Sequence, residues 1–117
     1  MGLFREYDLR GIVGKELTEE IAERVGRAYC THVQPRGVKR ISVGRDGRLS
    51  SPALHRALVK GLLAGGLDVV DIGICPSPLV YFSLFHLPVD GGIMITGSHN
   101  SAEYNGFKIR SEEHTSE

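Results

Sequence analysis

The sequence holds only two cysteines, Cys30 and Cys75, and no excess of either charge, since fourteen lysines and arginines balance fourteen aspartates and glutamates. Two distant thiols make neither a disulfide framework nor a Cys-x-x-Cys zinc site. Both are therefore expected as buried thiols of a reducing compartment, with the cytoplasm the expected location. A balanced charge creates no overall field to gather nucleic acid or an anionic membrane, so neither is expected as a partner. No apolar run reaches membrane-spanning length, and Arg5, Glu6, Asp8 and Arg10 leave no apolar core for a signal peptide. Neither a Walker-type Gly-Lys-Ser/Thr loop nor a Gly-x-Gly-x-x-Gly fingerprint follows a strand pattern, which removes the specific signal for a nucleotide-binding module. Of the histidines on expected helices, His32, His55 and His86, only His86 has a ligand-type residue at helical spacing, Asp90, and Pro88 separates the two. No zinc site is expected, and these histidines read as surface or boundary residues.

What is present is a chain of single-domain size, 117 residues with 41% hydrophobic side chains, enough for one modest core. Residues 18–33 read as a helix, with Thr18 as N-cap, Glu19 and Glu20 in the first turn, and Ile21, Ala22, Val25, Ala28 and Tyr29 on one face. Gly26 costs that helix some stability. After Gln34-Pro35-Arg36-Gly37, the alternation of Ile41 and Val43 marks a strand ending at Gly44-Arg45-Asp46-Gly47-Arg48. Ser50-Ser51-Pro52 supplies an N-cap and a first-turn proline for a helix striped by Leu54, Leu58, Leu62 and Leu63 and ending at Gly65-Gly66. A strand over residues 67–72, a helix opened by Pro76 and Pro78, and a strand around Ile93-Met94-Ile95 follow. This alternation predicts a three-layer α/β/α domain with a mainly parallel mixed sheet. A last strand over residues 104–109, after a tight Asn105-Gly106 turn, is expected to be antiparallel and at an edge.

In an open α/β sheet ligands sit beyond the C-terminal ends of the strands, and three loops there are polar: Arg45-Asp46-Gly47-Arg48, Pro76-Ser77-Pro78 and Thr96-Gly97-Ser98-His99-Asn100. The last presents a hydroxyl on a glycine-preceded turn beside an imidazole, the minimum for nucleophilic catalysis. Spacing alone fits a plain Asx or Ser turn as well. Likewise Arg10 and Lys108 could be solvated surface cations, Tyr7 a core or edge aromatic, and Asp46 with its flanking arginines a local ion-pair network. A Ser-His hydrolase ranks last, because no Gly-x-Ser-x-Gly elbow is present.

Read as a whole, Thr96-Gly97-Ser98-His99-Asn100 followed by Tyr104-Asn105-Gly106-Phe107-Lys108 resembles the phosphoserine loop of the α-D-phosphohexomutases. Ser101 stands where that family usually has proline. Two further stretches match in order: Phe4-Arg5-Glu6-Tyr7-Asp8-Leu9-Arg10-Gly11 and Val43-Gly44-Arg45-Asp46-Gly47-Arg48-Leu49-Ser50. The first is more similar to the phosphomannomutase/phosphoglucomutase branch than to the phosphoglucosamine mutases. The resemblance makes residues 1–109 the phosphoserine domain of an enzyme that interconverts hexose 1-phosphate and hexose 6-phosphate, of mannose, glucose or both, through a phosphoserine and a bisphosphorylated sugar.

The resemblance further implies Ser98 as phosphoryl carrier, with Arg10, His99 and Lys108 as its catalytic neighbours. Tyr7, Arg10, Asn100 and Lys108 are then the phosphate-binding set. Mg²⁺ is the implied cofactor, reached in this chain only through the Ser98 phosphate, its other ligands belonging to an Asp-Gly-Asp-Gly-Asp motif that this sequence lacks. Hexose 1,6-bisphosphate is the implied activator and intermediate, and the implied partners are hexose phosphates and the remaining domains of the same enzyme. For Arg45, Asp46 and Arg48 a bracing role behind the serine loop is expected in place of substrate contact. Residues 110–117 match no family continuation. One codon choice for them spells the start of a sequencing-library adapter, so they are expected to be a non-native, disordered tail. The chain alone is expected to lack turnover. The alternative is a noncatalytic sugar-phosphate-binding or interaction module.

Overall fold

Thr18 begins the first helix as its side chain allows, with Oγ1 accepting the Ile21 N–H at 3.2 Å. In the computed structural model, which describes residues 2–98 and 100–114, the elements run β1 (Gly2–Ile12), α1 (Glu19–Val33), β2 (Arg40–Arg45), α2 (Ser51–Ala64), β3 (Asp68–Ile74), α3 (Ser77–His86), β4 (Gly91–Ile95) and β5 (Tyr104–His114). The strands form one sheet in the order β1-β5-β4-β2-β3. β2 is parallel to both β3 and β4, and β5 is antiparallel to both β4 and β1.

Period-two alternation sends Ile41, Val43, Ile93, Ile95, Phe107 and Ile109 to one face, where they pack with Ala22, Tyr29, Leu54, Leu58 and Leu62 of α1 and α2 in the main core. The opposite face carries α3, whose Val80 packs with Met94, Cys75 and Ile72, with the buried hydroxyls of Ser42 and Ser83 paired at 2.7 Å. The domain therefore has the three layers the alternation of elements predicts. Gly26, a liability within an isolated helix, has a packing reason: α1 crosses α2 where Gly26 and Gly61 face each other's backbones. A Cβ at Gly26 would lie 2.6 Å from Leu58 O, and one at Gly61 would strike Glu23 O.

Four expectations are corrected. β1 was unforeseen, and it makes β5 an interior strand instead of an edge. Asn105-Gly106 is no turn but the second and third residues of β5. Gly106 permits the close approach of β1, since a Cβ there would strike Leu9 O. Of the segment expected to be disordered, residues 110–114 continue β5, with Arg110 opposite Glu6 and His114 opposite Gly2, while 115–117 lie outside the described residues. The backbone ladder explains this without help from side-chain patterning, because each strand satisfies the other's amides and carbonyls. Finally, Ser50 holds the N-cap position of α2 but its hydroxyl makes no cap bond; it accepts from Asn105 Nδ2 at 2.8 Å. Both cysteines are buried free thiols. No helix among the described residues is long and apolar enough to cross a membrane.

Candidate functional site

β2 and β4 are parallel neighbours whose chains leave in opposite directions, β2 through α2 toward the β3 edge and β4 toward β5. Such a switch point opens a crevice beyond the strand ends, the usual ligand position in α/β sheets. Here it lies between the loops after Arg45 and after Ile95. An open cleft of ≈ 640 Å³ has Asp46, Arg48, Leu49, Asn100 and Ala102 in its walls.

Ser98 leaves β4 in a left-handed conformation, φ 54°, the sole non-glycine with positive φ among the described residues. For an L-residue that region is disfavoured and persists only when the surroundings enforce it. Its N–H donates to Thr96 Oγ1 at 2.9 Å, and the Asn100 N–H closes the turn on Gly97 O at 3.0 Å. Ser98 itself is partly buried.

The β2 loop grips this turn. Asp46 Oδ2 accepts the Gly97 N–H at 3.1 Å, while Oδ1 accepts the Ser51 hydroxyl at 2.6 Å and the Arg48 N–H at 3.1 Å. Arg48 Nη1 donates to Ser101 O at 2.7 Å and Tyr104 O at 3.2 Å, and Nη2 to Asn100 O at 2.7 Å and Ser98 O at 3.1 Å. These contacts give Asp46 and Arg48 the bracing role expected of them. Burial by itself pushes the Asp46 carboxyl up, but the bonds from Ser51, Arg48, Gly97 and Thr96 together outweigh it and hold the group below its ordinary value. Arg45 turns away, its Nη1 lying 3.7 Å from Asp71 Oδ1.

The remaining expected site residues divide. Arg10 sits in β1 opposite Gly106, whose carbonyl accepts the Thr96 N–H at 3.0 Å, so Arg10 and the start of the serine loop flank one residue of β5. Its guanidinium is 43% exposed and 3.8 Å from Asp8 Oδ2, a long surface contact that leaves it open to an anion. Lys108 lies two residues further along β5, about 7 Å from Gly106, opposite Met94 and Asp8. It lines a second cleft of ≈ 360 Å³ with Ser77, Pro78 and Arg110. The backbone of Tyr7 is in β1 opposite Ile109. His99 lies outside the described residues. Among the described residues no group of three His, Cys, Asp or Glu could hold a metal ion.

Sequence reasoning missed Asn105. It is fully buried and donates from Nδ2 to Ser50 Oγ and Ser51 Oγ, while Oδ1 accepts its neighbour's amide from Gly106 at 2.9 Å. Asn105 thus joins β5 to the head of α2 and, through Ser51, to Asp46. The Asn-Gly pair that signals a hairpin masked this use, and partners 54 and 55 residues away leave no local trace.

Residues 1–115 match the family described as phosphoglucomutase/phosphomannomutase, alpha/beta/alpha domain I. The phosphomannomutase of Salmonella montevideo is 52% identical over 106 residues, covering 91% of this chain and 23% of the relative. The phosphomannomutase/phosphoglucomutase of Pseudomonas putida is 49% identical over 107 residues, covering 92% and 23%. A crystal structure of a Burkholderia thailandensis phosphoglucomutase/phosphomannomutase family protein superposes with a TM-score of 0.85 at 45% identity, over 90% of this chain and 25% of that one. The chain therefore spans about a quarter of the length of these relatives, and it belongs to the phosphoglucomutase/phosphomannomutase family, whose α/β/α domain I it forms.

Proposed function

We propose that this chain is the phosphoserine domain of a cytoplasmic phosphohexomutase acting on mannose phosphates, glucose phosphates or both, with Ser98 as the phosphoryl carrier. The observation that carries the reading is the placement of Ser98: a left-handed serine at the switch-point crevice, with Arg10 at the same end of the sheet. The names of the relatives, which include both sugars, support the substrate class.

In this reading the O–P bond of phosphoserine 98 breaks as the phosphorus bonds to a free hydroxyl of the hexose monophosphate. The hydroxyl proton passes to a neighbouring base and the departing Ser98 oxygen takes up a proton to become a hydroxyl again, with His99 and Lys108 the candidates for assisting these two transfers. The product is hexose 1,6-bisphosphate. After it turns around, the Ser98 hydroxyl takes back the other phosphoryl group. Little covalent chemistry is asked of the protein, whose contribution is position and stabilisation of negative charge. Arg10 and Lys108 supply cationic groups, and Tyr7 and Asn100 complete the phosphate-binding set. A Mg²⁺ would be held through the Ser98 phosphate oxygens and by oxygen ligands from outside this chain, a hard cation preferring oxygen. It would supply charge neutralisation at the transferring group.

Activity of the whole enzyme tests this. Ser98→Ala in the full-length protein should lower kcat for hexose phosphate interconversion by at least about a thousandfold, and the 117-residue chain alone should show no turnover. Full-length Ser98→Ala with near-normal kcat would sink the reading. Hexose phosphate binding with no reaction in the wild-type enzyme would instead favour a noncatalytic sugar-phosphate module.

A further inference from the structure

We propose that Arg48 is the positioning residue of the serine loop: its guanidinium, bonded to the carbonyls of Ser98, Asn100, Ser101 and Tyr104, holds Ser98 in its left-handed turn and replaces the stiffness that a proline at position 101 would give. The inference deepens the mutase reading, since it concerns the residue read there as the phosphoryl carrier.

The loop's own bonds are short-range. Thr96 Oγ1 caps the Ser98 N–H and Gly97 O accepts from Asn100, contacts that a mobile turn can make and lose together. Arg48 differs because it comes from another strand end, 50 to 56 residues away, and ties down carbonyls from the middle of the turn to its far side. The planar guanidinium fork has five N–H donors in fixed directions, so four carbonyls bonded to its two Nη groups are fixed relative to one another. Asp46 fixes the fork in turn, with Oδ2 at 3.3 Å from Nε. The same Oδ2 accepts the Gly97 N–H, so one carboxylate orients both the arginine and the peptide before Ser98. Gly97 packs against the guanidinium, where a Cβ would strike Cζ. Arg48 is only 18% exposed. With both Nη groups on carbonyls it is committed to the loop backbone and acts through Ser98, not on a phosphate.

Ser101 contributes nothing comparable. Its N–H makes none of the described backbone bonds outside helices and strands, and its hydroxyl reaches only Glu103 Oε1, at 3.3 Å on the surface. The hold passes through its carbonyl, which any residue would supply.

Backbone NMR on the 117-residue chain tests this, because the Ser98 Cα and Cβ shifts and its amide coupling report φ without requiring phosphoryl transfer. Lysine keeps the charge but is a point donor that cannot span four carbonyls. Arg48→Lys is therefore expected to move the Ser98 signals out of the left-handed range and to raise amide exchange at Gly97 and Asn100 at least about tenfold, with β2 and β4 amides still protected. Ser101→Pro alone should change neither readout, whereas Ser101→Pro added to Arg48→Lys should restore the Ser98 signals. Unaltered Ser98 signals in Arg48→Lys would overturn the proposal, as would loss of β4 protection in step with the loop or failure of the proline to restore them. If Ser98 instead never accepts a phosphoryl group from a hexose bisphosphate in the full-length protein, the mutase reading fails while these NMR outcomes stand.

Discussion

Two charged clusters sit one strand apart at the same end of the sheet, and they use the same residue types in opposite ways. Beyond β2 and β4, Asp46 and Arg48 spend their charge on directional bonds to backbone, from 2.7 to 3.2 Å for the arginine. On the β3 side of β2, Arg45 and His55 approach Asp71, a residue within β3, only to 3.7 and 3.4 Å. There Arg45 Nε and His55 Nε2 are buried without a hydrogen-bond partner, the His55–Asp71 approach being too poorly aligned to count as one. Charge proximity with one partner half in water fixes little, whereas charge-assisted bonds to peptide groups set backbone geometry. Arg45 and Asp46 are sequence neighbours, so the difference arises from which side of the sheet each one reaches.

The largest effect should come from the first cluster. Asp46→Ala leaves the Gly97 and Arg48 amides, the Ser51 hydroxyl and the Arg48 guanidinium without their acceptor. It should cost about 3 kcal/mol in denaturant unfolding. A loss below about 1 kcal/mol would erase the distinction between the clusters.

Acid should separate them next. Burial lowers the His55 imidazole below its ordinary 6.5, Asp71 opposing this and Arg45 adding to it. The folded chain then binds fewer protons there than the unfolded one, so this stability is complete above pH 6.5 and is lost as pH falls toward the depressed value. Asp46, also lowered, keeps its contribution until pH falls below its ordinary 3.8. As pH falls from 6.5 toward 3.8, stability should therefore decline while Gly97 and Asn100 stay protected, and His55→Asn should flatten that decline. Simultaneous loss of both regions on acidification would contradict this order.

The smallest effect belongs to Asp71→Asn. It keeps the oxygen that accepts the Gly73 N–H at 2.8 Å and loses only the long ion pairs. It should change stability by no more than about 1 kcal/mol.

Local signals carried most of the fold. Thr18 before two glutamates, the leucine stripe of α2 and the β-branched runs of β2 and β3 each act within a few residues, and the structure has those elements. β1 was illegible because Gly2–Ile12 has no clean alternation and its partner lies about a hundred positions away in sequence. That one omission also misplaced β5. At the site, the serine loop was legible as a motif, and the charged β2 loop as a support. The bonds between them were not, since no pattern in either segment encodes which carbonyls Arg48 reaches. His55 read as a surface or boundary residue, yet it is only 9% exposed and its imidazole lies 3.4 Å from Asp71 of β3, a partner no local pattern announces.

The central claim is that Ser98 carries the phosphoryl group. The most direct measurement is peptide mass spectrometry of the full-length protein after incubation with a hexose 1,6-bisphosphate and Mg²⁺, with Ser98→Ala as the control. The account predicts one added phosphoryl group on Ser98 and none in the variant. An unmodified Ser98, or a phosphoryl group on another residue that persists in Ser98→Ala, would contradict it.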